Sequence, residues 1–342
     1  MPRFMTAQTK DSDFNPWPHR LAVALVCATF PLIWVGGLVT TYDAGMAVPD
    51  WPSTYGYNLF LYPWTTWIFG PWDLFIEHGH RLLGALVGMI TIGLVVAVWR
   101  CDQRRWLRNL SLAALVLVIA QGVLGGMRVV LDERTLATIH GCVGPAFFAL
   151  VAAMAVFTSR LWQTSSDPRT HGGAGMLQRL AVFTAGFAYL QLVVGAHLRH
   201  LPVSASPGTF RTIVFFHLIL ALVIAVHVIL LLGVTLLVDQ RSRKLLAPAI
   251  CLAVLVTLQL ALGGATWFVN YAWPAGLPEP SFAAGFTILS RGWLQSYVVT
   301  AHVAVGSLII ATAVQLACRS LRLLSPVESK SANSVILKGV LA

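Results

Sequence analysis

Eight long apolar segments constrain this chain more than any other feature of its sequence. A transmembrane helix needs about 20 consecutive, predominantly apolar residues. Segments of that kind cover residues 20–41, 79–99, 109–128, 136–158, 179–198, 211–237, 246–268 and 295–318. Charged residues make up only 11% of the chain, against about 25% in a soluble domain. We therefore predict an all-α, polytopic membrane protein with eight transmembrane helices.

The basic residues indicate which way these helices cross the membrane. Eight spans place both termini on one side. Of the 23 Lys and Arg residues, 17 lie in the terminal segments and in the second, fourth and sixth loops. Because basic residues concentrate in cytoplasmic loops, both termini are expected in the cytoplasm. The net charge of +10 then reflects topology, and no nucleic-acid partner is expected.

An internal repeat runs through the apolar segments. Three odd-numbered helices end in a glutamine followed four residues later by a glycine, at Gln121 and Gly125, Gln191 and Gly195, and Gln259 and Gly263. The first helix ends similarly in Gly36-Gly37 but without the glutamine. Each is followed by an even-numbered helix that carries a histidine near its start. This pattern predicts two tandem four-helix bundles, related by an axis along the membrane normal.

The repeat divides the chain into five parts. These are a cytoplasmic N-terminal segment at 1–19, a first four-helix repeat at 20–160, a cytoplasmic linker at 161–178, a second four-helix repeat at 179–320 and a cytoplasmic tail at 321–342.

Four histidines at equivalent positions suggest two metal-binding sites. His80 and His140 belong to the first repeat, and His217 and His302 to the second. Imidazole is an axial ligand of haem iron, and helices that face each other can present two of them to one flat cofactor. A lone histidine in a membrane helix is often only an interhelical hydrogen-bonding group. Zinc is disfavoured because no third or fourth ligand recurs in both halves.

Glu77 makes the two halves chemically unequal. Glu77 and His80 share a helix face, and Arg81 lies one turn from Glu77. The second half has Val214 and Val299 where an acidic residue would correspond. The difference predicts a reactive site in the first half and an electron-holding site in the second. The alternative is a surface ion pair between Glu77 and Arg81.

Two long outer segments, 42–78 and 269–294, are rich in aromatic residues. They suit an interfacial aromatic belt, or else a lid over a site that opens outwards. The five cysteines form no C-x-x-C motif, which excludes a covalent c-type haem and gives no disulfide framework.

At these residues the chain resembles the haem A synthase family. The likeness is carried by Glu77-His78-Gly79-His80-Arg81-Leu82, by Ala44-Gly45-Met46 and Asp50-Trp51-Pro52 after the glycine-rich end of the first helix, and by the histidine of each later even helix. It covers about residues 20–320. Some members carry cysteine pairs in outer loops, and this sequence has none there.

The resemblance implies a membrane oxidoreductase that converts a methyl group of haem O to the formyl group of haem A, in a bacterial inner membrane. It implies that His217 and His302 hold a haem b (iron) cofactor, and that His80 and His140 contact the substrate haem beside an essential Glu77. From their positions, Arg81 and Arg128 are expected to bind the substrate's propionates. Haem O synthase and an electron donor are the implied partners, besides the lipid bilayer.

Two other functions use the same residues. A bis-histidine membrane cytochrome b would carry electrons through both pairs, but it leaves Glu77 unexplained. A haem-handling transporter would present haem on the tryptophans of the first outer segment. A prenyltransferase is disfavoured because the sequence has no D-x-x-x-D pair for a metal diphosphate.

Overall fold

The computed structural model describes residues 14–165, 167–202, 204–239, 243–271 and 292–327. Eight long helices dominate it: α1 (Trp17–Thr41), α3 (Trp72–Cys101), α4 (Arg105–Leu131), α5 (Arg134–Phe157), α7 (Ala174–Arg199), α8 (Pro207–Val238), α9 (Leu246–Tyr271) and α10 (Trp293–Leu323). All eight are long and apolar enough to cross a membrane. The prediction of an all-α polytopic membrane protein is confirmed.

The remaining elements are short. A 3-10 turn (Ala44–Met46) and the helix α2 (Trp64–Ile68) lie in the first outer segment. The helix α6 (Arg160–Thr164) and the strand β1 (Arg169–His171) lie in the predicted linker. β1 pairs in parallel with β2 (Leu324–Pro326), which directly follows α10. This three-residue ladder was not expected from an all-helical pattern.

The helices extend beyond the apolar segments that predicted them. α3 begins at Trp72, directly after Pro71, seven residues before the predicted start at 79. Polar residues are compatible with a helix that projects into the membrane interface, so hydropathy alone underestimates its length. As a result Glu77 and His80 lie inside α3 rather than at its first turn.

Each half of the chain has its own apolar core. Leu25, Val87 and Phe148 belong to a cluster that joins α1, α3, α4 and α5. A second cluster joins α7 to α10 and includes Leu177 and Leu316. In both halves each long helix contacts the next one, and the first contacts the fourth. The exact domain boundaries stay a prediction.

The two halves meet through α1, α5, α7 and α10. Arg199 at the end of α7 donates through Nη2 to the carbonyl of Gly37, 2.8 Å away, and to Thr41 Oγ1, both on α1. Thr41 also lies 3.3 Å from Thr300 of α10. Deeper in the bundle, the Tyr189 hydroxyl donates to the carbonyl of Cys142. Most of the second outer segment, 272–291, lies outside the described residues.

The opposite end of the bundle is held by buried polar contacts. Arg169 of β1 forms an ion pair of 2.7 Å with Asp239, whose side chain is fully buried. Asp239 also accepts from the backbone N–H of Leu245. Gln178 of α7 donates to the carbonyls of Ser320 and Leu324. The linker, the loop after α8 and the end of α10 are thereby joined.

Candidate histidine sites

The four predicted histidines form two pairs, one in each half. The ring centres of His80 and His140 are 6.3 Å apart, and so are those of His217 and His302. Each histidine lies six to ten residues after the start of its helix, which is about 9 to 15 Å along the axis. Both pairs therefore lie at a similar depth from the same end of the bundle.

Every one of these rings rests on a glycine of the preceding long helix. A Cβ at Gly36 would lie 2.8 Å from Cε1 of His80, and one at Gly125 would lie 3.1 Å from Cε1 of His140. The second half repeats the contact at Gly195 with His217 and at Gly263 with His302, at 3.1 and 3.3 Å. The recurring glycines thus leave room for the imidazoles of the following helix.

Two of the repeated glutamines form hydrogen bonds across the same helix pairs. Gln121 Nε2 donates to the carbonyl of His140 over 3.1 Å, and Gln191 Nε2 to that of His217 over 2.9 Å. Each glutamine precedes its glycine by one helical turn, so the donor and the ring cradle lie on one face. The recurrence of glutamine and glycine is visible in the sequence. The hydrogen bond from the glutamine to the histidine of the next helix is visible only in the structure.

The spacing within each pair suits a metal ion between the rings. A ligating nitrogen lies about 2 Å from its metal and the ring centre roughly 1 Å farther, so two trans imidazoles hold their centres about 6 Å apart. Backbone carbonyls of the preceding helix, at Leu32, Gln121 and Gln259, interact with the rings of His80, His140 and His302. A carbonyl beside one ring nitrogen leaves the other nitrogen to bind a metal, which is the usual arrangement of a ligating histidine.

An all-protein zinc site does not fit the same residues. Within the described ranges, no group of three or more His, Cys, Asp or Glu side chains could hold a metal ion. Two nitrogen ligands from opposite sides are instead what an equatorially chelated iron, as in haem, requires. The donor set of each pair therefore fits a haem.

Glu77 is a buried carboxylate, 2% exposed, and not part of a surface ion pair. Its Oε1 accepts from Arg81 Nη2 at 2.8 Å, and its Oε2 accepts from the backbone N–H of Val48 at 3.1 Å. The ion pair is the i, i+4 pair expected from the sequence. Val48 belongs to the outer segment, so Glu77 connects that segment to the helix of His80.

Arg81 organises the first outer segment. Its Nη1 donates to the carbonyls of Asp50 and Ser53 at 2.7 and 2.8 Å, and its Nη2 donates to that of Val48 at 2.7 Å as well as to Glu77. Both Nη groups are therefore engaged within the protein. Propionate binding by Arg81 stays a prediction. Its Nε makes no such contact among the described residues, so Nε is the donor that could bind a propionate.

Arg128 lies between the outer segment and the first histidine pair. Its Nη2 donates to the carbonyl of Gly45 at 2.9 Å, and a side chain at Gly45 would overlap the guanidinium. Arg128 is also within electrostatic reach of Glu77, His80 and His140. The structure thus brings together all five residues predicted for the first site.

Of the other histidines, His78 proves to be part of the outer segment's packing. Its Nδ1 lies 3.0 Å from Thr54 Oγ1, and its ring packs on Tyr62 and Trp67. His227 lies 2.8 Å from the carbonyl of Val223 and packs on Phe187, so it too is a packing residue.

The outer ends of the two halves carry positive charge. His200 directly follows α7, and burial together with the neighbouring Arg199 and Arg128 lowers its pKa to about 4. His200 is therefore neutral at pH 7, whereas the arginines around it are charged. This environment would attract a carboxylate-bearing ligand to the outer end of the bundle.

Comparison with known proteins gives matches of one main kind. The family model of the cytochrome oxidase assembly proteins COX15-CtaA matches residues 71–286. A heme A synthase of Alkalihalophilus pseudofirmus is 24% identical over 265 residues, which cover 71% of this chain and 84% of that protein. A heme A synthase of Shouchella clausii is 27% identical over 187 residues, or 53% and 58% of the two chains. A protoheme IX farnesyltransferase of Halobacterium salinarum is 29% identical over 134 residues, 39% of this chain and 28% of that protein.

Proposed function

This chain belongs to the COX15-CtaA family of cytochrome oxidase assembly proteins, and from that membership we propose that it makes haem A by oxidising haem O. The relatives named heme A synthase support this activity. The chain is accordingly an oxidoreductase of the membrane. The observation that carries the proposal is the pairing of four partly buried histidines, with a carboxylate beside one pair only.

In this proposal the second half holds the resident cofactor, a haem b. His217 and His302 would hold it, a role supported by the 6.3 Å separation of their ring centres. When bound, the iron supplies one-electron chemistry that no side chain provides. Gly195 and Gly263 fix the two imidazoles in place.

The first half binds the substrate, haem O. His80 and His140 would contact it on opposite faces, at the same spacing as in the second half. Two ligands from two helices set the depth and tilt of the macrocycle, which decides which ring substituent reaches the reactive position. Arg128 is within electrostatic reach of both histidines and would bind a propionate. Arg81 would bind one through its Nε.

Glu77 distinguishes the first half chemically. Conversion of a methyl group to a formyl group adds one oxygen atom, from water or dioxygen, and removes hydrogen as protons and electrons. A carboxylate one turn from His80 is placed to receive a proton. Its contacts with Arg81 and Val48 hold the carboxylate in one orientation. The valines at the corresponding positions of the second half cannot act in this way, which suits a cofactor site.

The proposal includes a location and partners. The family resemblance implies a bacterial inner membrane, and the basic residues favour an orientation with both termini in the cytoplasm. Both histidine pairs would then lie toward the outer face. Haem O synthase would supply the substrate, and an electron donor would complete the redox cycle. The partial match to a protoheme IX farnesyltransferase is in keeping with a place in haem O metabolism.

The bound pigment tests this function against a membrane electron carrier. We expect protein purified from cells that make haem O to contain haem b together with haem O or haem A, identified by mass and by the pyridine haemochrome spectrum. An electron carrier would contain two equivalents of haem b and no other haem. That composition would refute the proposed function.

A further inference from the structure

The backbone around Trp51 is held by the side chain of Arg81. Carbonyls on both sides of it, from Val48, Asp50 and Ser53, accept hydrogen bonds from Arg81. Arg81 directly follows His80 in α3. The position of Trp51 is therefore tied to the helix that presents His80.

The indole of Trp51 lies against a different helix. A Cβ at Gly126 of α4 would overlap the indole atoms Cδ2 and Cε2 of Trp51, and only a glycine leaves this space. The preceding residue, Gly125, carries the ring of His140. Trp51 thus reaches from the helix of His80 to the glycine pair that supports His140.

Trp51 is still 38% exposed in this position. Part of its ring is therefore free to contact another molecule, and Gly126 places it one residue from the glycine that carries the ring of His140. Aromatic rings pack well on flat, apolar groups.

The second half offers no comparable residue in the part that the structure describes. Gly264 corresponds to Gly126 by its place after Gly263, and nothing described lies within 4 Å of a Cβ built there. The connection from α7 to α8 is also much shorter than that from α1 to α3. Among the described residues, this aromatic contact is therefore found in the first half.

We propose that Trp51 contacts the bound haem O and forms one wall of its site, with Gly126 holding the indole in place. This inference rests on the proposed function and adds a specificity-determining residue to it. The first outer segment then acts as a fixed wall, in contrast to a lid that opens.

Equilibrium binding of haem O to the purified protein tests this role without turnover. Trp51→Ala should weaken binding about tenfold, the scale of one lost aromatic contact. Gly126→Ala should weaken it similarly, because the new methyl group displaces the indole. The resident haem of the second half should remain at its wild-type level in both. Absorption difference spectra give the affinity and the haem content together.

Two variants serve as matched controls. Trp64 lies in the same segment and is 63% exposed, and Gly122 lies on the same helix as Gly126 with open space around it. Trp64→Ala and Gly122→Ala should bind haem O as the wild type does. If Trp51→Ala does not fold, Trp51→Phe and Gly126→Ala carry the test.

Wild-type affinity in a folded Trp51 variant and in Gly126→Ala would overturn the inference. Equal weakening in Trp64→Ala would also overturn it, since the effect would then belong to the segment as a whole. A wild-type protein that binds haem O but yields no haem A would instead defeat the proposed function and leave the role of Trp51 standing.

Discussion

At the scale of single residues, the four paired histidines differ from the others in what their rings contact. His227 is satisfied by a carbonyl of its own helix and by an aromatic neighbour. His217, on the same helix, has a buried Nδ1 without a partner among the described residues and faces a second histidine. Burial without a partner is costly, so the ligand that completes His217 should contribute to stability.

We expect His217→Ala to remove the resident haem and His227→Ala to retain it. The His217 variant would bind the haem iron through one histidine only and so more weakly. The His227 variant would keep both histidines that hold the haem. The ratio of haem to protein in purified samples measures this. A full complement of low-spin haem in His217→Ala and in His302→Ala would contradict the assignment of the second-half site.

At the scale of elements, the glycines decide how closely neighbouring helices approach. A Cβ at Gly36 would lie 2.8 Å from the ring of His80, closer than ordinary contact, whereas the space around Gly88 on α3 is open. Overpacking of this kind typically costs about 1–3 kcal/mol and shifts the side chain that is struck. The contact thus links a small residue on α1 to the ligand on α3.

Gly36→Ala should therefore weaken haem O binding about tenfold or more by displacing His80, and leave the second-half haem unchanged. Gly88→Ala is the control, with wild-type binding expected. The same absorption titration measures both. Unaltered binding in Gly36→Ala would mean that the position of His80 does not matter for the substrate.

The first outer segment is sensitive to acid through Asp50. Burial acts to raise the pKa of Asp50, but hydrogen bonds from Gly56, Ser53 and Tyr55 together outweigh burial and hold it below the ordinary value, which is about 3.9. A carboxyl group with a lowered pKa stabilises the folded form above its unfolded pKa. That stabilisation is lost as the pH falls through the folded pKa.

We expect the amides of Tyr55 and Gly56 to lose protection from hydrogen exchange at acid pH, after correction for the intrinsic rates. Asp50→Asn should reproduce this loss of protection at pH 7. The free energy of opening at these amides should fall by about 1–2 kcal/mol, because charge-assisted hydrogen bonds become neutral ones. Asp73→Asn, at an exposed position, is the control. Full protection in Asp50→Asn would show that the backbone contacts of Arg81 suffice.

Sequence patterns predicted the elements well and the outer segment poorly. The helices follow from length and hydropathy, and the histidines follow from their recurrence. The roles of Arg81 and Trp51 depend on backbone carbonyls and on a glycine of α4 distant in sequence. Contacts between residues so distant in the chain leave no periodic pattern in the sequence. The sequence position of Arg81 therefore predicted propionate binding but not its contacts with the outer segment.

At the scale of the whole molecule, the halves are joined by a partly buried arginine at the end of α7. Arg199 belongs to the second half by sequence but donates to Gly37 and Thr41 of the first. Arg211, another outer-side arginine, is exposed. The repeat indicated two similar halves, but it could not show that a residue at the end of one completes the end of the other.

Arg199→Gln should lower the free energy of unfolding by about 3 kcal/mol, since two charge-assisted hydrogen bonds between the halves are lost. Arg211→Gln should change it by less than about 0.5 kcal/mol, as exposed substitutions do. Thermal unfolding of the detergent-solubilised protein, followed by near-ultraviolet circular dichroism, compares the two. Equal midpoints would mean that apolar contacts alone hold the halves together.

In our proposal the two halves share a histidine framework, but only the half with Glu77 performs chemistry. Glu77→Gln keeps the size and the hydrogen bond from Val48 but removes the charge beside Arg81. Asp239→Asn makes the same change in a buried carboxylate paired with a half-exposed arginine at the opposite end of the molecule. The two variants therefore separate chemistry from the general cost of neutralising a buried, paired carboxylate.

The most direct test is the ratio of haem O to haem A, measured by chromatography, in cells that make haem O and express each variant. We expect the wild type and Asp239→Asn to convert haem O to haem A. Glu77→Gln should retain the second-half haem yet convert less than about one hundredth as much, the scale of a lost proton acceptor. Wild-type conversion by Glu77→Gln would contradict the account, as would the absence of haem A in cells that express the wild-type chain.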